Sequence, residues 1–250
     1  MKPDISIFFP AYNEEDNLPK LVSNATKLMR DIANKYEIIL VVYEKSTDAT
    51  VKLSQQYAKK DKNIKVIVQK ANYGGVGRGY YLGFTNAKYP LVMFSDSDNQ
   101  FNLQDLKKLL KHIPKYDIVT GYRKNRADPL PRIIAANVYN VILNLIFNIG
   151  VRDADCALKI IKKELINRIE LNSISGLICP ELMIKSKRLG YSIKEIPVRH
   201  YQRYANIPHY DRAGFLQMRV IGFALKEIWN VRKDLQKNNY DRQKKKRATQ

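Results

Sequence analysis

Five short apolar runs, separated by longer amphipathic segments, constrain the fold of this chain more than any other feature. Each run has the length and composition of a buried strand, and they are Ile5–Phe9, Ile38–Val42, Ile64–Val68, Leu91–Phe94 and 117–121. The segments between them have the length and pattern of helices. Strands that alternate with helices at such intervals are typical of a parallel sheet with helices on both faces. The sequence therefore predicts an α/β fold with a mostly parallel sheet.

Two carboxylates follow the fourth run directly, at Asp96 and Asp98. In an extended chain, residues i and i+2 point to the same side, and ligands bind outside the carboxyl ends of parallel strands. With the amide oxygen of Gln100, these side chains can bind one Mg²⁺ or Mn²⁺ ion, which prefers oxygen ligands and often shares a substrate phosphate. A simpler explanation is a polar turn before a helix that Asn102 caps.

Cationic side chains are predicted at the same edge of the sheet. A glycine-rich segment, 72–79, follows the third run, and its N–H groups and Arg78 can bind a phosphate or a base, although a plain tight turn explains the glycines equally well. Arg123 follows the fifth run, and Arg132 opens the next helix. The formal charge of +20 suits nucleic acid, an anionic membrane surface or an anionic substrate. No nucleic-acid-binding signature is visible, so we expect no nucleic-acid partner.

Two further helices have membrane-like composition. Residues 133–149 carry no charge, and four asparagines fall within an arc of about 80° at helical spacing: Asn137, Asn140, Asn144 and Asn148. Because four amides would enter hydrocarbon, we do not expect a transmembrane span; the helix is either buried in the domain or partly sunk in a membrane surface. Residues 215–230 form a basic amphipathic helix with Trp229, which either lies on a membrane or packs back on the domain.

The sequence carries no signature of a zinc site, a disulfide framework, or Ser/His/Asp or Cys/His catalysis. Cys156 and Cys179 have no metal-ligand spacing, and the three histidines are scattered. A second acidic pair, Asp153 and Asp155, precedes another apolar strand and is either a structural turn or part of a site. The N-terminus begins directly with a predicted strand and shows no signal-peptide pattern, so we expect a cytoplasmic location.

Six motifs occur in a fixed order, and together they resemble family-two glycosyltransferases. They are Pro10-Ala11-Tyr12-Asn13-Glu14, Ser46-Thr47-Asp48, Asp96-Ser97-Asp98-Asn99-Gln100, Gly121-Tyr122-Arg123, Asp153-Ala154-Asp155-Cys156-Ala157-Leu158-Lys159 and Ile196-Pro197-Val198-Arg199. The closest resemblance is to the dolichol-phosphate mannosyltransferase-like branch, over about residues 4–204. It implies a GT-A, Rossmann-like domain over residues 1–210, followed by an amphipathic helix and basic tail over 211–250.

The resemblance also implies an activity, which is inverting transfer of a sugar from a GDP- or UDP-linked donor to a polyprenyl phosphate. Nucleotide-sugar contacts are expected from Pro10, Ala11, Tyr12, Glu14, Glu44, Arg78, Asp96 and Arg203. The divalent ion is expected on Asp96, Asp98 and Gln100, the acceptor phosphate on Arg123 and Arg132, and the catalytic set is Asp96, Asp98 and Asp155. We expect a peripheral protein on the cytoplasmic face of a membrane, attached by its two amphipathic helices and basic tail or by a membrane-anchored partner subunit.

Two alternatives stay open at this point. The acceptor can be a glycan or lipid hydroxyl, for which Asp153 or Asp155 would act as the base. Alternatively, the chain is a non-enzymatic nucleotide-binding relative, because Tyr43-Glu44-Lys45 replaces the Asp-Asp-Gly usual in the family after the second strand.

Overall fold

A computed structural model of the chain describes residues 1–73, 75–204 and 218–238. The strands are β1 (Ile5–Ala11), β2 (Tyr36–Tyr43), β3 (Ile64–Gln69), β4 (Leu91–Phe94), β5 (Ile118–Lys124), β6 (Lys159–Lys162) and β7 (Ile193–Arg199). The α-helices are α1 (Leu18–Ile32), α2 (Thr50–Lys60), α3 (Val76–Asn86), α4 (Leu106–Leu110), α5 (Leu130–Phe147), α6 (Lys163–Ile166), α7 (Ile178–Arg188) and α8 (Met218–Lys237). Short 3₁₀ turns cover Ala71–Tyr73 and Leu103–Asp105.

The strands form one sheet in the order β3-β2-β1-β4-β6-β5-β7. Neighbouring strands are parallel except at β6, which runs antiparallel to both β4 and β5. The predicted α/β fold with a mostly parallel sheet is therefore confirmed. Because β1, β2 and β4 are parallel, their carboxyl ends lie at one edge of the sheet, which we call the carboxyl edge.

The core forms between β1 and the helices on either face of the sheet. Phe8 of β1 is fully buried, and its ring stacks on Phe94 of β4 with centroids 5.2 Å apart. Helix α3 approaches closely because Gly83 has no side chain; a Cβ there would lie 2.2 Å from the Phe8 ring. The buried residues of α1 recur every three or four positions, as its amphipathic sequence dictates.

The predicted strands are present, with some differences at their ends. Strand β5 continues to Lys124, so Arg123 lies within the strand rather than after it. The predicted helix over 103–112 is shorter, because a 3₁₀ turn precedes α4 and the helix ends at Leu110. Asn102 caps this turn as expected, since its side-chain oxygen accepts a hydrogen bond from Gln104 N at 3.0 Å. Asn102 therefore caps the turn in the same loop that carries Asp96 and Asp98, and the cap does not exclude a metal site at the acidic pair.

Helix α5 directs Asn140 and Asn144 toward the domain and leaves much of its apolar surface exposed, although Leu143 is fully buried. Asn140 is buried, and its Oδ1 accepts a hydrogen bond from Ala154 N at 3.0 Å. Asn144 donates to Val151 O at 2.7 Å. Six apolar side chains are 41% to 81% exposed and form what we call the α5 apolar row: Leu130, Ile134, Val138, Val141, Leu145 and Ile146. Burial in the core, one of the two predicted environments for this helix, is therefore wrong for its apolar side.

The length and hydropathy of α5 alone would allow it to cross a membrane, and among the described residues it is the one such helix. The sequence does not predict that asparagines face the domain while apolar side chains are exposed, because composition does not specify which side of a helix meets the domain. The hydrogen bonds of Asn140 and Asn144 settle that orientation.

Helix α8 lies against the domain through acidic side chains. Glu227 accepts a hydrogen bond from Ile174 N at 3.0 Å, and Asp234 pairs with the fully buried Lys185. Lys185 also lies 2.6 Å from Glu181 Oε1, so α7 and α8 share one buried cation. Of the two predicted environments for this helix, packing on the domain is observed on this side.

The outer side of α8 is apolar and basic. Leu225 is 53% exposed and Trp229 is 54% exposed, with Lys226 and Lys233 beside them. Trp229 lies on this outer side, whereas its neighbour Ile228 is buried against the domain. The predicted boundary at 210/211 lies outside the described residues, as do Phe215 and Leu216.

Candidate functional site

The loops that follow β1 and β4 meet at the carboxyl edge. Phe8 pairs with Phe94 at the end of the β1–β4 ladder, and the chain then continues into Pro10–Tyr12 on one side and Asp96–Gln100 on the other. Ser97 Oγ donates a hydrogen bond to Pro10 O at 2.8 Å, which fixes the two loops together. The structure therefore brings together the predicted metal-binding and nucleotide-binding segments.

Arg203 joins these loops from the far end of the domain. Its Nη1 lies 3.2 Å from Asp98 Oδ2, and its Nη2 lies 2.5 Å from Glu14 Oε1. The segment after β7 is held near by Gln100, whose side-chain amide donates to Tyr201 O at 3.1 Å and whose carbonyl accepts from Tyr201 N at 2.9 Å. Gln100 thus positions the Arg203 segment through its amide nitrogen, in addition to the metal-binding role predicted for its amide oxygen.

Glu14 is a buried counter-charge beneath Arg203 rather than an open surface group. It is 5% exposed, and Asn17 Nδ2 donates to its Oε2 at 2.5 Å. Asn99 Nδ2 donates in turn to Asn17 O at 3.0 Å, so the network extends to the loop after β4. Burial raises the pKa of Glu14 to about 7, with Arg203 acting in the opposite direction.

Asp96 and Asp98 form an electronegative pair at the carboxyl edge. Burial, followed by the charge of Asp96, raises the pKa of Asp98 to about 6. Asp96 accepts a hydrogen bond from the Tyr80 hydroxyl at 2.5 Å. Arg203 and Arg132 offset only part of this effect, so the two adjacent carboxylates suit a divalent cation. Within the described ranges no three His, Cys, Asp or Glu side chains converge, so phosphate or water oxygens would complete the coordination of such an ion.

The ends of β1 and β2 present two aromatic rings. Tyr12 is 47% exposed, and its ring centroid lies 5.6 Å from that of Tyr43. Pro10 and Ala11, which precede Tyr12, line the same loop. The two ring planes are inclined by 60°, so the exposed ring of Tyr12 is the one that offers a face on which a base can stack.

Glu44 holds the next loop of the carboxyl edge. Its Oε1 accepts a hydrogen bond from Ala71 N at 2.5 Å, and its Oε2 lies 3.1 Å from Lys70 Nζ. The Ala71 hydrogen bond, followed by Lys70, lowers the pKa of Glu44. This residue therefore bridges the segments after β2 and β3, as a longer substitute for the aspartate usual in the family.

Arg78 lies on a different face of α3 from the acidic pair. Its guanidinium lies 4.6 Å from the ring centroid of Tyr81, and both side chains line a cleft of about 510 Å³ against residues 166–174. Tyr80, one face round the helix, is the α3 residue that reaches Asp96. The structure thus places Arg78 beside this cleft.

Arg123 and Asp153 form a two-pronged ion pair. Arg123 Nε donates to Asp153 Oδ2 at 2.7 Å, and Nη2 donates to Oδ1 at 2.7 Å. Burial opposes ionisation of Asp153, but the hydrogen bonds and charge of Arg123 outweigh it and lower its pKa. Arg123 is therefore already engaged by a carboxylate at the position predicted to hold an acceptor phosphate.

Asp155 keeps solvent-exposed surface and is within electrostatic reach of Arg123 and Asp153. Loss of hydration raises its pKa to about 6, while Arg123 acts in the opposite direction. The charge of Asp96 contributes to the same rise, so these two carboxylates are within electrostatic reach.

Arg132 stands at the start of α5, near the acidic pair. Its Nη1 lies 3.5 Å from Asp128 Oδ1, and its charge acts to lower the pKa of Asp98. Arg126 also pairs with Asp128, at 2.9 Å. Burial, with Arg123, Arg126 and Arg132 nearby, lowers the pKa of His200 to about 4, so His200 adds no positive charge to this cluster at neutral pH.

Three residues of the site escaped the sequence analysis: Tyr80, Asn17 and Lys159. Tyr80 shares the buried face of α3 with Phe84, and a tyrosine on a buried face needs a partner for its hydroxyl, which is a usable signal. Asn17 precedes α1 and resembles an ordinary helix cap. Lys159 is fully buried and donates to Ala154 O at 3.1 Å, but a lysine within a strand pattern carries no such signal.

Comparison with known proteins identifies relatives over most of the chain. The sequence profile of Glycosyl transferase family 2 matches residues 6–170. A dolichyl-phosphate β-glucosyltransferase, ALG5A, of Trichomonas vaginalis is 29% identical over 211 residues, covering 78% of this chain and 64% of that protein. The dodecaprenyl-phosphate galacturonate synthase of Rhizobium johnstonii is 26% identical over 213 residues, covering 83% and 62%. This chain thus spans less than two thirds of the length of either relative.

A solved structure supports the fold. Glucosyl-3-phosphoglycerate synthase from Mycobacterium tuberculosis, crystallised with Mn²⁺, UDP and phosphoglyceric acid, superposes with a TM-score of 0.67. It is 19% identical in sequence, and the match covers 90% of this chain and 78% of that chain. At this identity the likeness concerns the fold alone.

Proposed function

Because this chain belongs to glycosyl transferase family 2, we propose that it transfers a sugar, with inversion, from a nucleotide-sugar donor to a polyprenyl phosphate at a membrane surface. The observation that carries the proposal is the position of Arg132. It stands on the first turn of α5, where its charge acts on Asp98, and the α5 apolar row begins beside it at Leu130. A phosphate attached to a lipid chain fits a site in which an arginine lies next to exposed apolar side chains.

The donor would lie along the carboxyl edge. Tyr12 offers the base a stacking face beside Tyr43, and Pro10, Ala11 and Glu44 shape the loops around it. Asp96 and Asp98 would hold a Mg²⁺ or Mn²⁺ ion, with Gln100 beside them, and the ion when bound neutralises the leaving diphosphate. The Mn²⁺ and UDP of the mycobacterial synthase are compatible with this assignment.

Arg203 has a second task in this proposal. In the structure it neutralises Asp98 and Glu14. Its guanidinium would also bind the donor diphosphate as a fork of parallel donors, beside the aspartates that would hold the ion. Glu14 stays beneath it and keeps it at the site.

The acceptor would bind beside Arg132. A phosphate is already anionic, so it attacks the anomeric carbon without a strong base, and the protein mainly positions two anions and screens their repulsion. Arg123 is held by its ion pair with Asp153, so the acceptor phosphate would use the remaining N–H groups of its guanidinium. Asp155, which is within electrostatic reach of Asp96 and Arg123, would lie close to both reactants.

Membrane attachment would use two helices. The α5 apolar row lacks charge, and the outer side of α8 adds Leu225 and Trp229 with basic neighbours. The helices adjoin: besides burial, the charges of Asp155 and Glu227 raise the pKa of Tyr139 on α5. We place this surface at the cytoplasmic face of a membrane, with a membrane-anchored partner subunit as a further means of attachment.

Leu145→Glu should reduce sedimentation of the protein with anionic vesicles, because it puts a negative charge in the α5 apolar row. Unchanged sedimentation would refute this role of α5.

The test of the activity is transfer of labelled sugar into an organic phase. The chain is mixed with Mg²⁺ or Mn²⁺, a polyprenyl phosphate and a panel of labelled GDP- and UDP-sugars, with Asp98→Ala as the control. We expect label in the lipid product with one donor and none in the control. Nucleotide binding without label in lipid would refute the polyprenyl phosphate acceptor, and absence of nucleotide binding would refute the nucleotide-sugar donor.

A hydroxyl acceptor is the second candidate, and the pKa of Asp155 favours it. A carboxylate with a pKa of about 6 is a better base than an ordinary aspartate. Transfer to a glycan or lipid hydroxyl that Asp155→Asn abolishes, with nucleotide binding intact, would select this candidate.

A further inference from the structure

We propose that Tyr80 is a positioning residue for Asp96, which selects the carboxylate oxygen that Asp96 presents to a divalent cation. The proposal rests on the proposed function of the Asp96–Asp98 pair. It concerns a residue that touches neither the donor nor the cation, and acts through Asp96.

The Tyr80 hydroxyl contacts only one of the two oxygens of Asp96 in the hydrogen bonds of the structure. It donates to Asp96 Oδ1 at 2.5 Å, a short distance that is typical of a hydroxyl bound to a charged carboxylate. Oδ1 is thereby engaged from the side of α3. Oδ2 makes no hydrogen bond with Tyr80, so it is the oxygen that Asp96 would present to a cation.

The ring of Tyr80 is held in place on several sides. It is 8% exposed, and it packs edge-on against Phe94 and Phe8, with centroids 5.6 Å and 6.3 Å away. Phe94 is the last residue of β4, two positions before Asp96, so the ring that carries the donor rests on the strand that carries the acceptor. Such a contact leaves the hydroxyl little freedom to move.

The backbone of α3 is equally constrained. Gly77 N donates to Ile174 O at 3.0 Å, and a Cβ on Gly77 would lie 2.6 Å from the backbone of Ile174 and of Ser175. On the other side, a Cβ on Gly79 would lie 3.3 Å from Pro10 Cβ. The helix therefore sits between the 173–175 segment and the β1 loop, which limits movement of the backbone that carries Tyr80.

The chemistry of the phenol suits a permanent donor. A phenol with the usual pKa of about 10 is protonated at neutral pH, so the hydroxyl of Tyr80 has a proton to donate to Asp96. Outer partners that orient a metal-binding side chain typically contribute a factor of about 10 to 100 to metal affinity. We assign that role to Tyr80.

The test compares Mn²⁺ binding by the full chain and by three variants. Tyr80→Phe removes the hydroxyl and keeps the ring, Asp96→Asn removes the carboxylate, and Tyr81→Phe is the matched control because Tyr81 faces the Arg78 cleft. Free Mn²⁺ is counted by electron paramagnetic resonance, with GDP or UDP present. We expect about tenfold weaker Mn²⁺ binding for Tyr80→Phe, little or no binding for Asp96→Asn, and no change for Tyr81→Phe.

The outcomes separate this proposal from the proposed function. If Asp96→Asn loses Mn²⁺ while Tyr80→Phe binds it as the unaltered chain does, the positioning role is overturned and the metal site stands. If the unaltered chain binds no Mn²⁺ with either nucleotide, the proposed function fails, and this proposal fails with it. Tyr80→Phe could also melt at a lower temperature yet bind Mn²⁺ with unchanged affinity while it is folded. That result would show that Tyr80 has a purely structural role and would overturn the proposal.

Discussion

The two Asp-x-Asp pairs of this chain have the same spacing and different surroundings. Asp98 meets its arginine at a single distance of 3.2 Å, from a side chain that it shares with Glu14. Asp153 meets its arginine twice at 2.7 Å, with both partners about one tenth exposed. Burial raises the pKa of Asp98 to about 6, whereas Arg123 lowers the pKa of the equally buried Asp153 despite burial.

The difference shows that the cation, more than the spacing, decides what an acidic pair can do. A carboxylate in a two-pronged arginine pair has both oxygens occupied and gains little from a metal ion. A carboxylate beside another carboxylate, with one shared arginine contact, keeps a demand for positive charge that a divalent ion can satisfy. The first pair is thus suited to bind a ligand and the second to hold the fold.

The largest effect should come from breaking the second pair. Asp153→Ala leaves Arg123 buried without its carboxylate, and we expect a loss of about 3 kcal/mol in unfolding free energy. The melting temperature, followed by circular dichroism, should fall by roughly 6–12 °C. Asp155→Ala, two residues away, is the matched control and should change it far less. Equal melting temperatures for the Asp153 variant and the unaltered chain would contradict a structural role.

A smaller effect should follow from removing the cation of the first pair. Arg203→Ala removes two charged hydrogen bonds that we expect to turn toward a bound diphosphate, so nucleotide should bind about tenfold more weakly. The measurement is a calorimetric titration with the Mn²⁺ complex of GDP or UDP. Arg199→Ala, on the exposed end of β7, should leave affinity unchanged. Unchanged affinity in both variants would confine Arg203 to its observed ion pairs.

The smallest effect concerns Asp155 and pH. Its pKa is about 6 in the folded chain, above the ordinary value of 3.8, so the folded state binds its proton more tightly. Stability that this residue contributes below pH 4 is therefore lost as the pH rises through 6. Urea unfolding at several pH values should show a weaker decline between pH 4 and 6 for Asp155→Asn than for the unaltered chain. Glu164→Gln, on the surface of α6, should follow the unaltered chain; equal slopes for all three would contradict the raised pKa.

The parts of the structure that depend on local pattern could be predicted from the sequence. An apolar run of strand length needs no distant partner to be identified, so β1 to β4 lie where the runs lie. The meeting of Pro10 and Asp96 then follows from the parallel sheet, because the carboxyl ends of adjacent parallel strands share one edge. The resemblance to family two added Arg203, which no local pattern connects to Asp98.

The parts that depend on direction or partner could not be predicted. An apolar run does not reveal whether its strand is parallel or antiparallel, so the reversal at β6 was invisible. Arg123 and Asp153 are 30 positions apart, and nothing in either segment indicates that they pair. The asparagines of α5 mark one side of that helix, but only the contacts of Asn140 and Asn144 show that this side faces the domain.

The most direct measurement of the contrast is metal-dependent nucleotide binding by Asp98→Asn and Asp155→Asn, one aspartate from each pair. GDP or UDP is titrated into each chain with and without Mn²⁺. The account predicts that Mn²⁺ strengthens nucleotide binding by the unaltered chain and by Asp155→Asn, and has no effect on Asp98→Asn. Loss of the Mn²⁺ effect in Asp155→Asn, with its retention in Asp98→Asn, would contradict the assignment of the metal to the first pair.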